Sequence, residues 1–384
     1  MNDINRREFI ARAGRLAALT GTAGILSGCP GPLGTPFNPS TRTWPVFTVR
    51  GRRLRTMTRK ALNMAGGIES IVNPGESVFI KVNMMTVGMI PGNSIVRGES
   101  TKPEIAMTLA EECLRAGASS VIVGDAAQRN HFSWDSVPSL NGDTNYALEA
   151  ARLTGLYGPR LRLACLMGDS PDWVEVPSPF TNLNTLKIAR AAMEADRLFS
   201  VAVFKTHMTT KVTGALKNCF GLSPAEGIGV GAVKSRLNFH AAAGGVHQVL
   251  LDIIQAVRPD FSLVDLSICV EGSGPANSYG LFSQTVNMRD HIGDYVLVAS
   301  ADPVAADATA TRIIMHNPEE VRHLRLAWEQ GLGQIHEDKI DIIGEPIHTL
   351  AARWQPAALG AKLLIPEEWR HIPPYCCPNS VNET

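Results

Sequence analysis

The segment 204–221, FKTHMTTKVTGALKNCFG, concentrates side chains that bind anions and move protons. It contains three lysines and one histidine, interleaved with threonines and glycines, and it has no acidic residue. Lysines supply positive charge, and glycines and threonines allow backbone N–H groups to approach an anion. Histidine is the side chain that titrates closest to neutral pH. The segment therefore predicts a site for a small ligand that carries phosphate or carboxylate.

The surrounding sequence predicts the elements that position this segment. Apolar runs typical of buried strands lie at 77–83, 120–125, 198–204, 261–265 and 295–299. Helical patterns alternate with them, at 102–117, 185–195, 242–257, 303–315 and 318–330. This alternation predicts an α/β fold with a mostly parallel sheet and helices on both faces. Since such sheets bind ligands beyond the carboxyl ends of their strands, we expect a ligand cleft at that edge.

The polar residues that follow the predicted strands are the candidate site residues. His207 is the predicted acid or base, and Lys205 and Lys217 are expected to act beside it on the anion. Six further residues are predicted to contact the ligand, namely Lys81, Asn83, Lys211, Thr213, Asn218 and His240.

Acidic side chains follow the same strands. Asp125, Asp265 and Glu271 are predicted either to orient His207 or to hold a divalent metal ion, because carboxylate oxygens suit such cations. The last strand is followed by Ser300, Asp302 and Asp307, which are expected at the same edge of the sheet.

A second glycine-rich stretch spans residues 225–247. Its GIGVG run is not followed by the usual nucleotide-loop residues, so it is a weak signal for a dinucleotide. We predict a loop that lies over the cleft. His240 precedes the helix predicted from residue 242 and is a site candidate, whereas His247 lies within that helix and is predicted to pack there.

Composition excludes several classes of function. The chain has 384 residues, of which 45% are hydrophobic, enough to bury a substantial core. Lys and Arg number 36 and Asp and Glu number 36, so no net charge favours nucleic acid or an anionic membrane surface. None of the seven cysteines is spaced C-x-x-C, so the sequence indicates neither a zinc ribbon nor an iron–sulfur cluster.

The N-terminus predicts export and a lipid anchor. Residues 5–10, NRREFI, form a twin-arginine pattern, and an apolar run leads to Leu26-Ser27-Gly28-Cys29, which is typical of a bacterial lipoprotein cleavage site. We therefore predict a periplasmic or cell-envelope protein held to the membrane by lipid on Cys29. The predicted organisation is a signal peptide (1–28), a proline-rich tether (29–50), one α/β domain (51–350) and a C-terminal tail (351–384).

The sequence resembles the DUF362 family, which is named for its unknown function. The most distinctive similar segment is Thr213-Gly214-Ala215-Leu216-Lys217-Asn218 with Gly221-Leu222. Other matching segments, in the order of the family, include Lys81-Val82-Asn83, Thr101-Lys102-Pro103-Glu104, Lys205-Thr206-His207 and Asp302-Pro303-Val304-Ala305-Ala306-Asp307. The resemblance implies an α/β fold but no reaction. Some relatives carry ferredoxin-like cysteine motifs, which this sequence lacks.

Three kinds of function remain open at this stage. The first is an exported enzyme that acts on a small anion, with or without a divalent metal. The second is a non-catalytic binding protein, or an assembly factor that presents a metal or cofactor to a partner. The third, an iron–sulfur redox carrier, is disfavoured by the scattered cysteines. No protein partner is predicted.

Overall fold

The structure is a computed structural model that describes residues 43–85, 87, 93–127, 131–168, 171–179, 181–226, 236–277 and 283–357. The predicted signal peptide, Cys29, most of the proline-rich tether and most of the C-terminal tail lie outside the described residues. Residues 227–235 of the predicted glycine-rich loop lie outside them as well.

Strands and helices alternate along the described chain. The strands are β1 (Trp44–Gly51), β2 (Ser77–Lys81), β3 (Ser120–Asp125), β4 (Leu161–Cys165), β5 (Trp173–Ser178), β6 (Asn184–Ala189), β7 (Arg197–His207), β8 (Lys211–Thr213), β9 (Phe261–Gly272), β10 (Ser283–Asn287), β11 (Tyr295–Ser300) and β12 (Ile340–Gly344). The helices are α1 (Leu54–Met64), α2 (Pro103–Arg115), α3 (Tyr146–Tyr157), α4 (Arg190–Glu194), α5 (Ala215–Asn218), α6 (Leu237–Ala241), α7 (Gly245–Val257), α8 (Met288–Ile292), α9 (Pro303–Ile313), α10 (Arg322–Glu329) and α11 (Ile347–Leu350).

One large sheet organises the fold. Within the described ranges its ten strands run in the order β12-β1-β11-β9-β7-β2-β3-β4, with β10 added to β9 and β8 added to β7, while β5 and β6 form a separate pair. The central pairs β2–β3, β2–β7, β3–β4 and β7–β9 are parallel, as is β1–β12. The predicted α/β fold with a mostly parallel sheet is confirmed.

Apolar side chains from both faces of the sheet form two cores. One face is covered by α1, α2 and α3, whose buried residues include Leu62, Leu109 and Leu153. The other face is covered chiefly by α7, α9 and α10, with Leu250 and Leu324 at its centre. The prediction of helices on both faces is confirmed. Within the described ranges, no helix combines the length and the apolar character needed to cross a bilayer.

Three local predictions differ from the structure. Residues 44–50 form most of β1 rather than part of the tether, because Val46 and Val49 are buried between β11 and β12. Residues 184–189 form a strand rather than a helix, since Leu186 and Ile188 alternate with exposed neighbours. The third difference is that β11 is antiparallel to β9, so Ser300 and Asp302 lie at the opposite edge from the predicted cleft. Asp307, one turn into α9, does contact the lysine-rich segment.

Candidate functional site

The β7–β8 hairpin places the lysine-rich segment at the carboxyl edge of the sheet. Lys205 and His207 lie in the last three residues of β7. The chain then reverses, so that Thr213 of β8 pairs with Lys205 and Lys211 pairs with His207. The short helix α5 follows and carries Lys217 back along β7 toward the interior.

The first turn of α5 is held by a carboxylate from α9. Asp307 accepts hydrogen bonds from Ala215 N at 2.6 Å and Leu216 N at 3.0 Å. A Cβ on Gly214 would lie 2.1 Å from Asp307 Oδ1, so the close approach requires glycine. Burial raises the pKa of Asp307 to about 7, and these two backbone N–H groups oppose that rise. Asp307 therefore fixes the backbone that carries Lys217.

The predicted ligand residues Lys81 and Asn218 instead form a buried network with Asp125. Lys81 Nζ lies 2.6 Å from Asp125 Oδ1, and neither side chain is more than 5% exposed. Lys81 also donates to Asn218 Oδ1 at 3.3 Å, and Asn218 Nδ2 donates to Ser200 Oγ at 3.0 Å. A Cβ on Gly221 would lie 2.3 Å from Asp125 Oδ1. Because these polar groups satisfy one another, the network holds α5 against the sheet rather than contacting a ligand.

The three predicted metal ligands do not come together. Asp125 is held in the network described above, and Asp265 pairs with Lys102 at 2.8 Å, with both side chains fully buried. Glu271 accepts hydrogen bonds from a glutamine side chain at 2.6 Å and from a backbone N–H at 2.7 Å. No group of three or more His, Cys, Asp or Glu side chains in the described part of the chain is placed to hold a metal ion. The predicted metal set is not supported, because each carboxylate has protein partners of its own.

Of three other predicted contacts, Asn83 and Lys211 have protein partners, whereas a ligand contact of Thr213 stays a prediction. Asn83 accepts a hydrogen bond from Met85 N at 3.3 Å, so its side chain closes the turn after β2. Lys211 lies at the exposed tip of the hairpin and pairs with Glu320 at 3.1 Å, so it belongs to the surface. Thr213 is buried, and its Oγ1 has no hydrogen-bond partner among the described residues.

Lys217 lies among basic groups that come from five elements. Burial lowers the pKa of His207, His240, His247 and His323, and the positive charge of Lys217 lowers each of them further. Lys217 and these four histidines are named the Lys217 cluster below. Burial, followed by the charges of Lys205 and Arg236, lowers the pKa of Lys217 itself to about 7.

The Lys217 ammonium has no counter-charge in the described part of the chain. Only burial and two positive charges shift its pKa, and each of them lowers it. A cation that is partly removed from water is disfavoured unless an anion or a hydrogen-bond acceptor compensates it. Lys217 and His240 are only partly buried, so a molecule from solvent can approach them. The cluster is therefore suited to an anion.

His207 is arranged as a neutral hydrogen-bond donor. Its Nδ1 accepts the N–H of Thr209 at 3.1 Å. Burial, followed by the charge of Lys217, holds the pKa of His207 well below its usual range. A neutral ring that accepts at Nδ1 carries its proton on Nε2. His207 thus fits a role as donor to an anion better than the predicted role of acid or base.

Lys205 acts on the cluster through its charge. Its side chain is fully buried, and its ammonium donates to the backbone carbonyl of Glu99. Burial lowers the pKa of Lys205 to about 8, and the nearby carboxylate of Glu99 opposes this decrease. Because the Lys205 ammonium already has a backbone carbonyl as its partner, its contribution to the cluster is its charge.

A separate cavity of about 330 Å³ lies at the opposite edge of the sheet. It is lined by residues around the start of β9 and the end of β11, among them Arg258, Asp302 and Trp328. None of the predicted catalytic or ligand-binding residues lines it. The cavity therefore does not coincide with the Lys217 cluster.

Comparison with known proteins assigns the chain to a family. The model of a family described as "Domain of unknown function (DUF362)" matches residues 78–312, more than half of the chain. The chain belongs to the DUF362 family. Thylakoid-associated protein sll1697 of Synechocystis sp. is 24% identical over 299 residues, which cover 77% of this DUF362 chain and 81% of that protein.

Two solved structures are similar to this DUF362 protein over part of their length. The lactate racemase apoprotein from Thermoanaerobacterium thermosaccharolyticum matches with a TM-score of 0.33 and 11% identity, covering 66% of this chain and 56% of that one. A crystal structure of a protein from Thermotoga maritima matches with a TM-score of 0.32 and 13% identity, covering 59% of this chain and 54% of that one.

The structure separates two roles within the distinctive DUF362 segment 213–218. Gly214 and Asn218 hold the segment in place through Asp307 and Lys81. Lys217 belongs to the cluster described above, where no described carboxylate offsets its charge.

Sequence reasoning did not connect His247 and His323 with the lysine-rich segment. His247 is buried within its helix, as predicted, and His323 was not identified as a candidate. The rings of these two histidines stack with centroids 5.8 Å apart, and both are buried. The available signal was a histidine on the apolar face of each helix, which is also a common feature of ordinary packing.

Proposed function

We propose that this DUF362 protein is exported by the twin-arginine route, is anchored by lipid on Cys29, and binds a small phosphate- or carboxylate-bearing anion at the Lys217 cluster. The observation that carries the binding proposal is the charge balance around Lys217. Lys205 and Arg236 add positive charge, and no carboxylate contributes to the pKa of Lys217. A bound anion supplies the missing negative charge and raises that pKa.

The donors for such an anion come from different elements. The Lys217 ammonium offers three N–H groups, and His207 offers its Nε2 proton. Hydrogen bonds in which one partner is charged are about twice as strong as neutral ones. Because α5 is fixed by Asp307 and by the Lys81 network, Lys217 is held in place before a ligand arrives. Such preorganisation reduces the entropy that binding must overcome.

A second function, proton transfer to or from the bound anion, is favoured by the pKa of Lys217. A lysine that titrates near 7 exchanges a proton readily at neutral pH, and it can serve as a general acid or base. In this proposal Lys217, rather than His207, acts as the acid or base, and His207 holds the ligand.

Sulfate affinity is expected to fall as the pH rises through 7. Binding favours the ammonium form of Lys217, whose pKa in the empty site is about 7. Above that pH the complex must take up a proton, so the affinity decreases by up to about tenfold per pH unit. Below it the affinity levels off. Sulfate stays fully ionised across this range, so calorimetry between about pH 6 and 9 at constant ionic strength isolates the contribution of the protein.

The control for this experiment is Lys217→Met. The variant should show a weak affinity without the decrease through pH 7, and only a smaller decrease near pH 8, where Lys205 loses its charge. The four histidines of the cluster have pKa values lowered by burial, so they stay neutral across this range. A flat profile for the wild-type protein would show that Lys217 does not take up a proton when sulfate binds.

Export and anchoring rest on the N-terminal sequence. The name of the thylakoid-associated relative also supports a place at a membrane. Cys29→Ser should move the protein from the membrane fraction to the soluble fraction, since serine has no thiol to carry the lipid. Mass spectrometry of the mature N-terminus provides the direct check. A Cys29→Ser protein that stays in the membrane fraction, or a mature chain that begins elsewhere, contradicts the anchor.

A further inference from the structure

Two helices begin beside the Lys217 cluster and carry its stacked histidines in their first turns. His247 is the third residue of α7, and His323 is the second residue of α10. Neither helix has a side chain that caps its first turn. The free N–H groups and the positive dipole at a helix N-terminus favour an anion nearby.

The stacked rings carry buried nitrogen atoms that lack partners. His323 is fully buried and His247 is 5% exposed, and the ring planes are 24° apart. Nδ1 of His247 and both ring nitrogens of His323 have no hydrogen-bond partner among the described residues. Native proteins seldom leave buried polar atoms unpaired, so these three nitrogens are available to bond water or a ligand.

The protonation state of His323 defines which hydrogen-bonding groups a molecule bound there must carry. Burial, followed by the charges of His247 and Lys217, holds the pKa of His323 well below its usual range, so the ring is neutral near pH 7. A neutral imidazole has one N–H donor and one bare nitrogen that accepts. An anion whose oxygens are all ionised can satisfy the donor but cannot satisfy the bare nitrogen.

We infer that the His247–His323 pair accepts a hydrogen bond from a protonated oxygen of the ligand, so that the site prefers an anion that carries its own O–H group. This inference rests on the proposed function and narrows its ligand class. Inorganic phosphate, which keeps an O–H at neutral pH, is the simplest probe of that class. Sulfate has similar size and tetrahedral shape but no O–H, so it is the matched control ligand.

Calorimetric titration of the full-length protein with phosphate and with sulfate, near pH 7 and at equal ionic strength, tests the inference. We expect phosphate to bind on the order of tenfold more tightly, the scale of one hydrogen bond to a buried group. Equal affinities for the two anions overturn the inference and leave the proposed function in place. This is the result expected if only water bonds to the ring nitrogens of the two histidines. Binding of neither anion overturns both.

Variants of the two stacked histidines test whether these residues cause the preference for phosphate. His323→Phe keeps the ring and its stacking but removes both nitrogens, so the preference should disappear: the affinities for phosphate and sulfate should become equal within about twofold, even where both fall. His247→Phe tests the partner ring and serves as the second variant where His323→Phe fails to fold. His291→Phe, at an exposed histidine of α8, is the matched control and should change neither affinity. A tenfold preference for phosphate that survives in both His323→Phe and His247→Phe overturns the inference.

Discussion

Replacing Asp125 with alanine is expected to lower the free energy of unfolding by about 3–5 kcal/mol, because the change leaves the Lys81 ammonium buried without its counter-charge. The two groups lie 2.6 Å apart, and neither side chain is more than 5% exposed. The N–H of Met84, which donates to Asp125 at 2.6 Å, loses its acceptor as well. Urea denaturation near neutral pH measures the loss directly.

Two further variants test whether the loss of stability comes from the buried, unpaired charge. Asp172→Ala breaks an exposed ion pair with Arg190, in which the two side chains are 64% and 42% exposed, and should lower the stability far less than Asp125→Ala does. Adding Lys81→Met to Asp125→Ala should restore part of the lost stability, since the Lys81 ammonium then no longer remains buried without a counter-charge. A single Asp125→Ala variant that is as stable as the wild-type protein would show that this ion pair does not hold α5 to the sheet.

Replacing Lys217 with methionine is expected to weaken sulfate binding by about 10- to 150-fold, which corresponds to about 1.5–3 kcal/mol for a hydrogen bond to a charged group. The same change should make the affinity less dependent on salt concentration, because one positive charge that faces the ligand is lost. Calorimetry at two salt concentrations measures both effects.

Lys211 supplies the matched control for this second experiment. It comes from the same segment but is exposed and pairs with Glu320 on the surface. Lys211→Met should leave the affinity nearly unchanged. If Lys211→Met weakens binding as much as Lys217→Met does, the anion binds along the hairpin surface and the Lys217 cluster is not the site.

The fold was predictable from sequence where local signals were strong. The strand at 120–125 and the helix that begins at Pro103 were both predicted and both observed, because an apolar run and an N-terminal proline are local features. The direction of β11 was not predictable, since a buried strand has the same apolar sequence pattern whether its neighbours run parallel or antiparallel to it. That reversal moved Ser300 and Asp302 to the far edge of the sheet.

The candidate site was only partly predictable, because charge pairing depends on contacts between distant segments. Lys211 and Lys217 look equivalent in sequence, yet the hairpin turns Lys211 outward to Glu320 while α5 carries Lys217 toward the histidines. Likewise, nothing near Asp125 in sequence identifies Lys81 as its partner. The sequence thus predicted the segment, and the three-dimensional structure shows which of its lysines have protein partners among the described residues.

The most direct test of the Lys217 site is the pKa of Lys217 measured by NMR on protein with isotope-labelled lysine side chains, with Lys217→Met used to assign the signal. Without a ligand, the signal should titrate at about pH 7. With saturating sulfate, the titration should move to clearly higher pH, because the bound anion stabilises the ammonium. A Lys217 signal that titrates near the ordinary lysine value of about 10.4 and does not respond to sulfate would contradict an anion site at Lys217.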